Sequence, residues 1–143
     1  MGLLDNIKFG MWDSVDATIG LLEKWKPISC KTEKDYENSL YTYLHSELKE
    51  IQITKQYAVG RTKADLMVGE RVIVELKKDL STTAQYQRLI GQITEYKGWK
   101  GAVVVLLVGK TDPNLKKEVM SYAKKASFDI LTNEGKIVVF QKD

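Results

Sequence analysis

Three charged residues near the middle of the chain, Asp65, Glu75 and Lys77, have types and a spacing that could do chemistry on a phosphate. A turn through the three residues 69–71 would fold this segment into a β-hairpin in which Asp65 lies directly opposite Glu75. Directly opposed residues of an antiparallel pair have Cβ atoms about 5 Å apart, so both carboxylates could bind one hard divalent cation through oxygen. Lys77 follows Glu75 by two residues, and the pleat of the strand places it on the same face.

Such a trio suits phosphodiester hydrolysis, because each residue type has a separate task. Two carboxylates hold Mg²⁺ or Mn²⁺, and the ion lowers the pKa of a bound water and neutralises the charge that builds on the phosphate. An ammonium group beside them, here that of Lys77, positions the attacking water or stabilises the transition state. The alternative is structural: the same residues would form a cross-strand ion pair on an exposed hairpin face, worth less than ~1 kcal/mol.

Helical and strand-like patterns alternate around this hairpin. Thr32, with Asp35 three residues later, predicts the start of a helix whose apolar stripe continues to about residue 50. The segment from Ala102 to Val108 is apolar without alternation, which is typical of a strand buried on both faces. The predicted elements are helices over 13–25, 32–50, 82–98 and 113–126, and strands over 51–58, 64–68, 71–77, 101–109, 128–131 and 136–141. This order predicts an α/β protein with a mixed central sheet flanked by helices.

Length and composition indicate one domain. The chain has 143 residues, close to a typical domain of about 150, and it is 43% hydrophobic and 29% charged. We therefore expect a single domain over 1–143, with an N-terminal helical appendage (1–30), a core (32–109) and a C-terminal helix with strands (110–143). The one cysteine, Cys30, excludes an internal disulfide and a thiolate metal site. This cysteine usage fits a reducing compartment, so we expect an intracellular, cytoplasmic protein. No stretch of about 18 apolar residues exists, so we expect no membrane partner.

These residues resemble the PD-(D/E)XK nuclease superfamily, which has the restriction-endonuclease-like fold. Nine residues separate Asp65 from the run Glu75-Leu76-Lys77, and the family's αβββαβ order matches residues 32–109. The residue before Asp65 is Ala64 where the family name has proline, which many members also lack. Residues 92–96, Gln-Ile-Thr-Glu-Tyr, are similar to the Q-x-x-x-Y signature that RecB-like members carry on the helix after the ExK strand.

The resemblance implies a catalytic and metal-binding set. Asp65, Glu75 and Lys77 would be catalytic, and the two acids would bind Mg²⁺, for which Mn²⁺ could substitute. Many members place a glutamate on the first core helix that completes the metal shell. Glu37 is our choice for that glutamate, and Glu33, one turn earlier, is the reserve. The chain has no cysteine cluster like those of some RecB-like members, which implies a cluster-free form.

Candidate substrate-binding residues lie on both sides of the trio. The resemblance implies that Gln92 and Tyr96 line the DNA-facing side of the site, and their spacing puts them on one helical face. Arg61 and Lys63 occur at a turn just before Asp65, where they could bind a phosphate or be solvated. Residues 77–143 contain 12 basic and 7 acidic residues, so a cationic face would be built mainly from the second half. The expected partner is DNA.

Two classes of function fit these observations. The first is a metal-dependent deoxyribonuclease, for which Q-x-x-x-Y favours a RecB-like exonuclease over a junction resolvase. A resolvase would need a symmetric dimer, and the N-terminal helix could supply a homo-oligomer surface or could instead cover one face of the sheet. The apolar residues of that helix are Val15, Ile19, Leu22 and Trp25. The second class is a catalytically inactive module that keeps the fold and binds DNA or a partner protein.

Overall fold

Five strands form one mixed sheet with helices packed on it. The computed structural model describes residues 11–96, 99–127 and 136–142. The helices are α1 (Met11–Lys24), α2 (Glu33–Glu47), α3 (Thr83–Glu95) and α4 (Pro113–Ala126), and the strands are β1 (Ile53–Val59), β2 (Thr62–Val68), β3 (Val72–Lys78), β4 (Ala102–Val108) and β5 (Lys136–Lys142). None of the helices in these residues combines the length and the apolar character that a membrane crossing requires.

The strand order in the sheet is β1-β2-β3-β4-β5. The first three strands pair as antiparallel hairpins, whereas β3, β4 and β5 pair in parallel. Parallel neighbours need crossover connections, and α3 and α4 provide them. The predicted α/β class, with a mixed sheet flanked by helices, is confirmed. From α2 to β4 the elements follow the order αβββαβ.

The pleat of β3 divides the apolar core into two parts. Val74 and Leu76 belong to the cluster that α1 and α2 cover. Ile73 belongs to a cluster on the other face, together with Tyr96 at the end of α3. The whole of β4 is buried, as its uniform apolar run predicts. The central strands β3 and β4 therefore lie between two apolar layers.

Helix α1 covers the same face of the sheet as α2. Val15, Leu22 and Trp25 are at most 1% exposed and pack in one cluster with residues of the sheet. Ile19 packs against that cluster. The apolar stripe that could have formed a dimer surface is thus used inside the chain, which is the second role considered for it. The oligomeric state stays a prediction.

Polar caps begin the helices, and their ends differ slightly from prediction. Thr32 and Asp35 form a reciprocal capping box at the start of α2, and Thr82 caps α3 in the same way. Helix α2 stops at Glu47 because Leu48 leaves the helical conformation. Helix α3 ends at Glu95. The predicted helix stop at Gly98 and the predicted strand over 128–131 lie outside the described residues.

Candidate active site

The β2–β3 hairpin brings Asp65 and Glu75 together. Val68 pairs with Val72, which confirms the turn through residues 69–71, and the ladder continues as far as Leu66 and Val74. One step further in the same register places Asp65 opposite Glu75. The N–H of Leu76, the residue after Glu75, donates to the Asp65 Oδ2 at 2.7 Å. A side-chain carboxylate therefore satisfies a strand N–H, which fixes the position of Asp65 beside Glu75.

Glu75 is a buried acid in the centre of the sheet. It is only 4% exposed, and the Tyr96 hydroxyl donates to its Oε1 at 2.8 Å. Because Val74 and Leu76 point into the cluster under α1 and α2, the pleat directs Glu75 to the opposite face. The hydrogen bond from Tyr96 lies on that face, at the end of α3.

Burial and mutual repulsion change the ionisation of both acids. Burial raises the pKa of Asp65 to about 6, opposed by the Leu76 hydrogen bond and assisted by the charges of Glu33 and Glu37. Burial also raises the pKa of Glu75 to about 8, with the Asp65 charge as the next cause. The two carboxyls also share a hydrogen bond, which raises the pKa of Glu75 and lowers that of Asp65. This is the pattern of a neutral Glu75 donating to an ionised Asp65.

The donor set suits a hard divalent cation. Two adjacent carboxylates, one buried and one half-buried, are costly without a compensating positive charge, and a cation would supply it. Within the described residues, no group of three or more His, Cys, Asp or Glu side chains is arranged to hold a metal ion. The protein ligands would then be Asp65 and Glu75, with waters or substrate oxygens completing the shell. Mg²⁺ commonly binds in this way, through one or two carboxylates.

Glu37 and Glu33 approach Asp65 from α2 without joining the pair. The Glu37 Oε1 accepts a hydrogen bond from Gln56 Nε2 at 3.2 Å. The Glu33 Oε2 accepts one from the Lys78 N–H at 3.4 Å. The negative charges of both glutamates contribute to the raised pKa of Asp65. The choice of Glu37, with Glu33 as the reserve, to complete a metal shell stays a prediction.

Lys77 provides a cation beside the two acids. It is half-buried on β3, and its charge lowers the pKa of Glu75. Its ammonium group makes no hydrogen bond or ion pair within the residues that the structure describes. The neighbouring Lys78 differs, since its Nζ lies 2.5 Å from the Asp79 Oδ2. The Lys77 ammonium group is thus available for a phosphate bound at the two acids.

Gln92 and Tyr96 lie one turn apart beside the site. Tyr96 caps the C-terminal end of α3 and is 2% exposed, so its hydroxyl contacts Glu75 rather than solvent. Its contact with an acid of the trio was not part of the sequence-based prediction. Gln92 is half-buried, and its Oε1 is a buried atom that accepts no hydrogen bond from the described residues. Substrate contact by Gln92 stays a prediction.

Arg61 lies at the turn between β1 and β2, and Lys63 is the second residue of β2. The Arg61 N–H donates to the Glu95 Oε1 at 3.1 Å, and the guanidinium lies 3.7 Å from the Glu95 Oε2. The Arg61 side chain is 92% exposed, and Lys63 is also exposed. Glu95 is the residue before Tyr96, so this turn is attached to the end of α3 that contacts Glu75. Phosphate binding by the two cations stays a prediction.

Comparisons with known proteins give one distant likeness. No family model and no curated protein matches the chain. A solved structure of Pyrococcus furiosus SfsA in complex with Ca²⁺ is similar, with a TM-score of 0.44 and 16% sequence identity. The match covers 75% of this chain and 63% of that one, so the chain spans less than two thirds of the length of this structure.

Proposed function

We propose that the chain is a metal-dependent nuclease of the PD-(D/E)XK type that hydrolyses DNA phosphodiester bonds. One observation carries the proposal: the buried carboxyl of Glu75 and the half-buried carboxyl of Asp65 are adjacent on a β-hairpin, with the ammonium group of Lys77 beside them. A purely structural ion pair on an exposed hairpin face does not account for this arrangement. Glu75 is 4% exposed and has a second acid, Asp65, beside it, and within the described part of the chain neither carboxyl forms an ion pair.

The protein groups have separate tasks in this reaction. Asp65 and Glu75 would hold the cation through their carboxylate oxygens, and both are kept in place by hydrogen bonds, from the Leu76 N–H and the Tyr96 hydroxyl. When bound, Mg²⁺ supplies positive charge for the phosphate and lowers the pKa of a water. Lys77 would stabilise the negative charge that develops on the phosphate oxygens, or orient the attacking water. The apolar layers around β3 shield Glu75 from bulk water.

A cleavage assay tests the proposal. The purified chain should hydrolyse DNA with Mg²⁺ or Mn²⁺ and stop when EDTA is added. Asp65→Asn and Glu75→Gln should each reduce the rate at least about 100-fold, since each removes a charged metal ligand. Glu118→Gln, at an exposed position on α4, is the matched control and should be as active as the wild type. Cleavage that survives both active-site changes would overturn the proposal, and DNA binding without any cleavage would favour the inactive module.

Comparing linear, circular and four-way junction DNA as substrates distinguishes an exonuclease from an endonuclease or a resolvase. The Q-x-x-x-Y resemblance at residues 92–96 favours a RecB-like exonuclease, which needs a free DNA end. A linear DNA should then be degraded while a covalently closed circle of the same sequence survives. Cutting of the circle would instead indicate an endonuclease, and paired cuts in a four-way junction would indicate a resolvase.

A further inference from the structure

Gln56 has an unusual backbone conformation for a residue inside a strand. Its φ is +52°, in the left-handed region that side chains other than glycine rarely adopt. Other non-glycine residues with positive φ in the described part of the chain, Ser29, Glu70 and Asp79, lie outside the strands, whereas Gln56 is in the middle of β1. Such conformations persist only where the surrounding structure imposes them, and they often occur at functional sites.

The position of Gln56 in the sheet is opposite Asp65. Lys55 pairs with Leu66 and Tyr57 pairs with Ala64, while the intervening residues Gln56 and Asp65 form no pair. Strand β2 also changes face here. Ala64 packs with the cluster of Tyr96, but Leu66, two residues later, packs in the cluster under α2. In a regular strand these two side chains would share a face. The left-handed residue therefore interrupts the β1–β2 ladder at the candidate metal ligand.

The side chain of Gln56 reaches a second acid of the site. Its Nε2 donates to the Glu37 Oε1 at 3.2 Å. Glu37 is close enough to Asp65 for its charge to act on that carboxyl. One residue thus contacts the acid on α2 through its side chain and lies opposite the acid on β2 through its backbone.

We propose that Gln56 is a positioning residue for the candidate metal site. Its left-handed backbone releases Asp65 from the β1 ladder, so that the carboxylate can turn to the Leu76 N–H and Glu75. Its side-chain amide holds the Glu37 carboxylate in the position from which its negative charge acts on Asp65 and on a cation bound there. This inference rests on the proposed function, because it requires that Asp65 and Glu75 bind a cation.

Calorimetric titration with Mn²⁺ tests the proposal in the full chain. Gln56→Gly keeps access to the left-handed backbone but removes the amide, and we expect Mn²⁺ affinity about 10-fold weaker with an unchanged melting temperature. Gln56→Val removes the amide and also disfavours the left-handed backbone. Its Mn²⁺ affinity should therefore be lower than that of Gln56→Gly, and its melting temperature should fall below that of the wild type. Lys55→Ala, at the neighbouring exposed position, should bind Mn²⁺ like the wild type.

A double variant tests whether Gln56 changes the Mn²⁺ affinity through Glu37. If Gln56 acts through Glu37, Gln56→Gly should change Mn²⁺ affinity little in a chain that already carries Glu37→Ala. The inference is overturned if the wild type binds Mn²⁺ and Gln56→Gly binds it equally well, or if the effects of the two substitutions add in full. A wild type that binds no Mn²⁺, even with DNA present, would instead overturn the proposed function and this inference with it.

Discussion

The hydroxyl of Tyr96 donates to Glu75 across 2.8 Å, and both residues are at most 4% exposed. This hydrogen bond links the end of α3 to the central strand of the hairpin. It favours the ionised form of Glu75 and so opposes the burial that raises the pKa of this acid to about 8. The tyrosine therefore helps Glu75 to be a charged ligand at neutral pH.

Replacing Tyr96 with Phe should weaken metal binding in a pH-dependent way. The ring still fills the core, but the loss of the donor raises the pKa of Glu75 further, so less of it is ionised at pH 7. We expect Mn²⁺ affinity at pH 7 to fall about 3–10-fold and to recover above pH 9. Titrations at several pH values provide the measurement. Tyr57→Phe, which changes another tyrosine packed on the same cluster, is the control, and equal pH dependence in the two variants would refute the role given to Tyr96.

Lys77 and Lys78 should differ sharply in their importance. Lys77→Ala removes the ammonium beside the acids while both carboxylates remain, so cleavage should slow at least about 100-fold. Its Mn²⁺ affinity should stay within a few-fold of the wild type. Lys78→Ala removes a cation that pairs with Asp79 and should keep most of the activity. Rates and affinities measured on both variants check this, and comparable losses in the two would show that Lys77 has no special role.

The metal-free protein should become less stable as the pH rises. The folded-state pKa values of Asp65 and Glu75, about 6 and about 8, lie above their ordinary values, so the native state binds more protons than the unfolded state in that range. The free energy of unfolding should therefore decrease from about pH 4 to about pH 8.

Glu75→Gln should remove the part of this decrease that lies between about pH 6 and pH 8. The variant should then melt a few degrees above the wild type at pH 8 in EDTA. Melting curves from pH 5 to pH 9 provide the test, with Glu118→Gln as an exposed control. A wild-type melting temperature that rises towards pH 8 relative to Glu75→Gln would contradict the assignment of Glu75 as a buried acid with a raised pKa.

Two glycines offer a test of the fold itself. A Cβ at Gly101 would lie 1.7 Å from the Arg71 carbonyl oxygen, which accepts hydrogen bonds from the Ala102 N–H and the Trp99 indole. Gly101→Ala should therefore cost about 3 kcal/mol or more of unfolding free energy. Gly91 in α3 has open space around it, so Gly91→Ala should stabilise by about 0.5–1 kcal/mol. Urea denaturation measures both, and a neutral Gly101→Ala would contradict the β3–β4 arrangement.

Local sequence signals were sufficient for most of the fold. The capping residues at Thr32 and Thr82 and the uniform apolar run of β4 each specify an element through short-range chemistry. The opposition of Asp65 and Glu75 followed from turn length alone, because the register of a hairpin is fixed by its loop. These features depend on residues close together in the chain.

Features that depend on tertiary contacts could not be predicted from the sequence. The spacing of Gln92 and Tyr96 indicated one helical face, but not that the Tyr96 hydroxyl meets Glu75. No sequence pattern predicted the left-handed backbone of Gln56, because glutamine is not a residue that favours this conformation. The end of α2 was also displaced, because Leu48 leaves the helical conformation, which the apolar periodicity does not indicate.

The most direct test of the central claim is a crystal structure of the chain soaked in Mn²⁺, with the ion located by its anomalous scattering. The account predicts an anomalous peak within about 2.0–2.4 Å of carboxylate oxygens from both Asp65 and Glu75, with the Lys77 ammonium nearby. Peaks elsewhere on the chain only, or carboxylates that remain hydrogen-bonded to each other at a saturating Mn²⁺ concentration, would contradict it.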